Sequence, residues 1–190
     1  MNQIHLPRLA SERLALPVNK RDHIRGPLLA PVSLLEYGDY ECPACGAAHQ
    51  VVAELRESLG RRLRFVFRNF PLIAIHPRAE PAAQAAEAAA AEAKFWEMHD
   101  MLYRNQDALE DQHLAHYAAS LGLDGGNLVA AIWAGTYSRR VREDFRSGIN
   151  SAVNGTPTFF INGLRHEGNF QFGELFAALQ HASIVARGPQ

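Results

Sequence analysis

The chain has 190 residues, of which 47% are hydrophobic, and its 19 basic and 20 acidic side chains give a formal net charge of −1. This length supports one well-buried core, and the interspersed charges give no indication of a nucleic-acid partner or an anionic membrane partner. No segment approaches the roughly 18 consecutive apolar residues that a membrane-spanning helix needs, which predicts a soluble protein.

Residues 1–25 are polar and aperiodic, and we interpret them as an N-terminal arm before a domain at 26–190. The arm has charges or prolines every few residues and contains no apolar run of signal-peptide length. This pattern predicts a cytoplasmic protein. Thiols are kept reduced in that compartment, so a disulfide there would be catalytic or sensing rather than structural.

The first predicted core element is a strand at Val32–Tyr37, an apolar run that includes Glu36 and is typical of a strand buried on both faces. Apolar residues then recur at helical spacing from Ala48 to Leu59, and Gly60 stands where that helix would end. Leu63–Phe67 predicts a second strand. A strand, a helix and a strand at this spacing form a βαβ unit with parallel strands.

The pattern from residue 77 to about 146 is helical almost throughout, which is much longer than a single connecting helix. We therefore predict a helical subdomain inserted at about residues 75–150. Beyond it, two short apolar runs flank Asn162-Gly163, a dipeptide typical of two-residue hairpin turns, and predict antiparallel strands at Thr158–Ile161 and Leu164–Glu167. A final amphipathic helix is predicted from Phe172 to Leu179.

Cys42 and Cys45 are the only cysteines of the chain, and they lie at the predicted N-terminus of the first helix. Two thiols at this spacing can close into a disulfide with little rearrangement, and the helix N-terminus favours a thiolate. Half of a zinc ribbon shows the same Cys-x-x-Cys pattern. A structural zinc site needs four ligands, however, and the sequence has no second cysteine pair and no His-x-x-x-His spacing, so we favour redox chemistry.

These elements together resemble the α/β thioredoxin fold (βαβ then ββα), with a helical subdomain inserted between the halves, as found in DsbA-like thiol-disulfide oxidoreductases. The resemblance covers roughly residues 22–185 and includes the thioredoxin-like domain fused to some bacterial sodium/proton antiporters. Five strings carry it: Arg21–Pro27, Glu36–Pro43, Arg68–Leu72, Phe95–His99 and Gly155–Phe159. Many family members are exported to the periplasm, whereas this sequence shows no leader.

The resemblance and the motif imply that Cys42 is the attacking, solvent-facing thiol and Cys45 the resolving thiol; the alternative is two buried thiols that never react. The dipeptide between them, Pro43-Ala44, lacks the histidine of the strongest oxidants. Asp39 and Glu41 lie close by in the sequence and would disfavour a thiolate. We therefore expect a milder oxidant.

Glu36 stands in the apolar strand, where an unpaired carboxylate is costly unless it keeps its proton. A pKa near neutrality would suit a proton shuttle for Cys45, a role that the family resemblance also implies. The alternative is that strand alternation points Glu36 to solvent.

The resemblance also implies that Pro157 is cis and that its loop packs against the cysteine motif. Thr156 would then offer backbone hydrogen bonds to an extended substrate, and we assign Thr156, Pro157, Pro43 and Ala44 as substrate-binding residues. The alternative for Pro157 is a trans proline at a strand start. We interpret His49 as solvent-facing. We interpret five large apolar side chains as core rather than as the lining of a substrate groove: Phe70, Trp96, Met98, Met101 and Trp133.

The resulting hypothesis is a thiol-disulfide oxidoreductase that exchanges a Cys42–Cys45 disulfide with protein or peptide thiols through a mixed disulfide. Glutathione is a candidate small thiol, and we expect no metal, organic cofactor, nucleic-acid partner or membrane partner. Two alternatives stay open: a non-catalytic module that senses redox state or binds a partner, and a glutathione-dependent isomerase or transferase.

Overall fold

A computed structural model describes residues 13–185, so residues 1–12 of the predicted arm lie outside the described residues. A five-stranded mixed sheet has the order β1-β3-β2-β4-β5. Its strands are β1 (His23–Arg25), β2 (Val32–Gly38), β3 (Leu63–Asn69), β4 (Thr158–Ile161) and β5 (Leu164–Arg165). β2 and β3 are parallel, and the other neighbouring pairs are antiparallel.

Seven α-helices accompany the sheet in the described part of the chain, and none of them is both long and apolar enough to cross a bilayer. They are α1 (Pro43–Leu59), α2 (Ala79–Ala91), α3 (Phe95–Arg104), α4 (Asp111–Ser120), α5 (Gly125–Trp133), α6 (Ser138–Asn150) and α7 (Phe172–Val185). The run α2–α6 confirms the inserted helical subdomain.

The two halves of the predicted thioredoxin fold are confirmed. β2, α1 and β3 form the βαβ half, and β4, β5 and α7 form the ββα half. Asn162 and Gly163 join β4 to β5 with φ angles of 49° and 79°. Both central residues of a type I′ turn need positive φ, which explains why this dipeptide marks the hairpin.

The central strand β2 is buried on both faces, as its continuous apolar sequence predicts. Leu34 belongs to the core that includes α1 and α7, whereas Leu35 and Tyr37 belong to a second core on the opposite face. Because side chains alternate along a strand, Glu36 points to the same face as Leu34, towards α1. The site is built on that face.

The structure differs from the sequence analysis at the end of the predicted arm. Residues His23–Arg25 form β1, antiparallel to β3, and a segment before them packs on the sheet through Leu14 and Val18. The backbone N–H of Leu14 also donates to the carbonyl of Gly163 at 2.9 Å. A three-residue strand is too short to show an alternating pattern, so its polar sequence gave no signal.

Candidate active site

Cys42 is the N-cap residue of α1, with φ −74° and ψ 120°, and Pro43 is the first helical residue. Proline suits that position because its φ is already helical and its missing N–H would have no partner within the helix. The sequence Cys-Pro-Ala-Cys therefore starts the helix directly after the strand β2 and its short turn. This places Cys42 at the positive end of the helix.

The structure brings the loop at Thr156 against Cys42 although 114 residues separate them. The Cys42 thiol lies 3.4 Å from the carbonyl oxygen of Thr156, and the Thr156–Pro157 peptide bond is cis. Cys42 is only 7% exposed, which corrects the expectation of a solvent-facing thiol. The same loop that contacts the sulfur therefore also shields it from solvent.

The environment of Cys42 lowers its thiol pKa from about 9 to about 5. The largest cause is a hydrogen bond from the thiol of Cys45, and burial acts in the opposite direction. The Thr156 side chain and hydrogen bonds from the backbone at Cys45 and Ala44 lower the pKa further. Hydrogen bonds to the charged form stabilise it, so Cys42 is a thiolate at neutral pH.

Cys45 has the opposite electrostatics, although it lies only one helical turn away. It is completely buried, and burial is the first cause that raises its thiol pKa well above 9. Its hydrogen bond to Cys42 raises the pKa further, as do the negative charges that Glu36 and Cys42 carry at the high pH where Cys45 would ionise. Both cysteines are free thiols in this structure, so the pair consists of one thiolate and one protonated thiol.

Glu36 is 1% exposed, so the alternative of a solvent-facing carboxylate is wrong. Burial first, and the negative charge of Cys42 second, raise its pKa from 4.5 to about 8. Its Oε1 atom has no hydrogen-bond partner among the described residues, and neither has the buried hydroxyl of Tyr103. A Cβ on Gly38 would lie 2.7 Å from that hydroxyl, which places Tyr103 over the strand two residues after Glu36.

Asp39 and Glu41 do not act as the sequence analysis expected. The pKa of Cys42 is lowered, so the effect of these two acids is outweighed. The Asp39 side chain is fully buried and accepts three hydrogen bonds of 2.8 Å, from the backbone N–H groups of Glu41 and Leu72 and from Nδ1 of His76. Asp39 therefore holds the loop after β3 against the cysteine motif.

Gln106, from the inserted subdomain, is a site residue that sequence reasoning missed. Its Nε2 donates to the carbonyl oxygens of Tyr40 at 2.8 Å and Cys42 at 2.9 Å, and its side chain covers Gly46. A neutral side chain 64 residues from Cys42 gives no sequence signal of this role. Gln106 ties the subdomain to the backbone of the motif.

The large apolar side chains divide between core and surface. Phe70 and Met98 are fully buried, and Trp96 and Met101 are partly buried against the main core. Trp133 is 77% exposed, so its interpretation as core is wrong. Its indole N–H donates to Asp111 at 2.9 Å, which fixes the ring at the surface.

His49, His99 and Asp100 are the one group in the described part of the chain with three ligand atoms close enough to hold a metal, within 4.8 Å of one another. His49 is not solvent-facing as expected, because its side chain is 17% exposed and lies 3.1 Å from Asp100. Arg25 forms two further hydrogen bonds with Asp100, of 3.1 and 2.9 Å. The positive guanidinium opposes a cation here, so we interpret the group as an ion-pair network.

Comparisons with known proteins show the family of this chain. The sequence profile of the family described as thioredoxin matches residues 18–181. The Na(+)/H(+) antiporter NhaA 3 of Salinispora tropica is 44% identical over 175 residues, which cover 92% of this chain and 27% of the antiporter. This chain therefore spans about a quarter of the length of the curated relatives that it matches.

Solved structures share the fold at lower sequence identity. BdbD from Bacillus subtilis, in its oxidised form, is 21% identical with a TM-score of 0.81, over 91% of this chain and 98% of BdbD. Alpha-DsbA1 from Wolbachia pipientis is 20% identical with a TM-score of 0.78, over 92% of this chain and 96% of that protein. These similarities show the fold.

Proposed function

Because this chain belongs to the thioredoxin family and shares the fold of BdbD and alpha-DsbA1, we propose that it is a thiol-disulfide oxidoreductase that exchanges a Cys42–Cys45 disulfide with protein or peptide thiols. The observation that carries the proposal is that the pKa values of the two neighbouring thiols are shifted in opposite directions. The pKa of Cys42 is lowered to about 5, and that of Cys45 is raised. One sulfur is thus prepared to leave or attack, and the other to hold a proton.

In the first step, a substrate thiolate attacks the Cys42 sulfur of the oxidised motif. A mixed disulfide forms between the substrate and Cys42, the Cys42–Cys45 bond breaks, and its electron pair stays on Cys45. Glu36, with a pKa raised to about 8, is protonated at neutral pH and gives its proton to Cys45. The buried sulfur is thereby neutralised as soon as it is released.

In the second step, another substrate thiol loses its proton to solvent and attacks the substrate sulfur of the mixed disulfide. A substrate disulfide forms, and Cys42 leaves as a thiolate. Its lowered pKa makes it a good leaving group. The substrate has lost two electrons and the motif has gained them, so a disulfide-bearing redox partner must reoxidise the protein.

The lowered pKa of Cys42 also supports a protein that oxidises its substrates rather than reduces them. A stabilised thiolate stabilises the reduced form of the motif, which makes the disulfide form a stronger oxidant. We therefore propose a stronger oxidant than Asp39 and Glu41 led us to expect, because the hydrogen bonds to Cys42 lower its pKa despite these two acids.

For substrate binding we propose the loop with Thr156 and Pro157 and the dipeptide Pro43-Ala44, because Cys42 lies between them. An extended peptide would pair with the backbone at Thr156. Ile73 and Ile75, which are 60% and 69% exposed, lie in the loop that Asp39 holds beside the motif. They offer apolar contacts to unfolded substrates.

The test is the redox equilibrium of the purified protein with glutathione. We expect a potential clearly above the value of about −270 mV typical of thioredoxin, together with oxidation of a reduced peptide. A potential at or below that value would contradict the oxidising direction. A motif that equilibrates with glutathione but never turns over a peptide would instead indicate a redox sensor.

A second measurement separates the glutathione-dependent alternative. In the proposed reaction the Cys42–Cys45 disulfide must form again after each cycle, so Cys45→Ser, which cannot form it, should abolish turnover. Tight glutathione binding with turnover that survives Cys45→Ser would contradict the proposal and favour an isomerase or transferase.

A further inference from the structure

The end of the domain opposite the cysteines gathers positive charge. Arg61 and Arg62 follow the C-terminus of α1, Arg64 lies at the start of β3, and Arg56 lies in the last turn of α1. None of the four is in an ion pair in the described part of the chain. The near-zero net charge of the chain hides this local excess.

Two leucines project beside these arginines. Leu28 is 66% exposed and Leu29 is 96% exposed, in a turn closed by a hydrogen bond from the N–H of Ala30 to the carbonyl of Pro27 at 3.1 Å. Arg64 donates to the carbonyl of Leu28 at 2.9 Å and fixes the turn next to the positive charge. We call Leu28, Leu29, Arg56, Arg61, Arg62 and Arg64 the arginine surface.

Shared concavities connect the parts of the arginine surface. One open concavity is lined by Gly26 and Pro27 from the turn together with Arg56 and Arg61. Arg62 lines a second concavity with Ile184 of α7, which is 70% exposed. Exposed aliphatic side chains and guanidinium groups therefore lie near one another at this end of the sheet.

We propose that the arginine surface binds the face of an anionic lipid bilayer. Leu28 and Leu29 would enter the boundary between headgroups and acyl chains, and the four arginines would contact lipid phosphates. A second copy of the chain would bring like charges together. A nucleic acid would pair with the arginines but would leave the most exposed aliphatic side chain, Leu29, without an apolar contact.

This binding mode would set the orientation of the redox site. α1 has 17 residues and runs from the cysteine motif to the arginine surface, a length of about 25 Å. A chain docked through the arginine surface would thus hold Cys42 on the side away from the bilayer. The proposal does not depend on the redox activity, because no residue of the arginine surface contacts the motif.

The experiment is co-sedimentation of the full chain with vesicles, using phosphatidylcholine alone or phosphatidylcholine mixed with phosphatidylglycerol. We expect binding to the mixed vesicles at low ionic strength and its loss at about 1 M salt, where charges are screened beyond about 3 Å. The double substitution Leu28→Asn with Leu29→Asn should weaken binding at least about tenfold. Arg61→Gln and Arg62→Gln should each weaken it about fivefold.

Matched controls are Arg139→Gln and Leu164→Asn, which change an exposed arginine and an exposed leucine elsewhere. They should bind like the parent, and all variants should keep the parent's circular dichroism and rate of peptide oxidation. The proposal is overturned if mixed vesicles do not bind the parent, if phosphatidylcholine alone binds equally, or if the leucine substitutions or the arginine substitutions have no effect.

Discussion

The N-terminus of α1 and the buried space one turn deeper hold the two sulfurs of one motif in opposite chemical states. At the N-terminus, Cys42 receives hydrogen bonds that lower its pKa to about 5. In the deeper space, burial first and the hydrogen bond to Cys42 second raise the pKa of Cys45. Two thiols only three residues apart can have such different pKa values because a pKa depends on the groups that face each sulfur rather than on its position in the chain.

The opposite pKa shifts of Cys42 and Cys45 imply different roles for the two regions. The N-terminus of α1, with Thr156 across from it, would exchange disulfides with substrates. The deeper space, with Cys45, Glu36 and the unpaired hydroxyl of Tyr103, would store and return one proton. The following predictions test these two roles, beginning with the largest expected effect.

Replacing either cysteine should separate attack from resolution completely. Cys45→Ser should accumulate mixed disulfides through Cys42, whereas Cys42→Ser should trap no substrate, because the remaining sulfur is buried and protonated. Non-reducing gel electrophoresis and mass spectrometry after incubation with a peptide disulfide would measure this. Equal trapping by both variants would show that the two regions are chemically equivalent.

Glu36→Gln should slow the steps that protonate or deprotonate Cys45 by about a hundredfold, because the isostere keeps the shape and removes the titrating group. Stopped-flow measurement of disulfide closure at about pH 7 would show this. The matched control is Glu54→Gln, an exposed position on α1. A parental rate in Glu36→Gln would contradict the proton-transfer role.

The same variant should change stability in a definite pH window. The raised pKa means that folded Glu36 keeps a proton that the unfolded chain releases, so the parent loses stability as pH rises from about 4.5 to about 8. Glu36→Gln removes this loss and should raise the free energy of unfolding of the reduced protein by about 1–3 kcal/mol at about pH 7. Urea unfolding below about pH 4 should show no such gain.

Removing the hydrogen-bond donor at Cys45 should destabilise the thiolate form of Cys42. Cys45→Ala removes the hydrogen bond that contributes most to the lowered pKa, and should raise the pKa of Cys42 by at least about one unit. Cys45→Ser keeps a donor and should raise it less. Alkylation rates between about pH 4 and 9 measure both, and identical profiles would contradict the assigned cause.

The parent should show a related pH dependence of stability. The lowered pKa of Cys42 stabilises the reduced folded protein fully above the unfolded pKa of about 9, and this contribution is lost as pH falls through about 5. The stability of the reduced form relative to the oxidised form should therefore decrease from about pH 8 to about pH 5. Calorimetry of both forms across this range would detect it.

The smallest expected effect concerns the support of the N-terminus by the inserted subdomain. Gln106→Leu removes hydrogen bonds to the carbonyls of Tyr40 and Cys42 and should lower the free energy of unfolding by about 1–3 kcal/mol, with a change in exchange rate of less than about tenfold. Gln112→Leu, at an exposed position of α4, is the matched control. Equal stability of both variants would show that Gln106 does not support the motif.

The sequence predicted most of the fold because the information was local. β2 and β3 are continuous apolar runs, α1 has helical periodicity that ends at Gly60, and Asn162-Gly163 requires a hairpin. β1 was missed because its three residues are too few to show a period. Trp133 was assigned to the core because periodicity identifies an apolar position but not whether another element covers it.

The sequence by itself determined the thioredoxin architecture, the position of Cys42 at a helix N-terminus and the presence of an acid in the central strand. Only the tertiary structure decided how each group is charged. Thr156 reaches Cys42 from 114 residues away and Gln106 from 64, and the packed core around β2 buries Glu36. Desolvation and hydrogen bonds act over a few ångströms in space, so the order of residues along the chain does not specify these shifts.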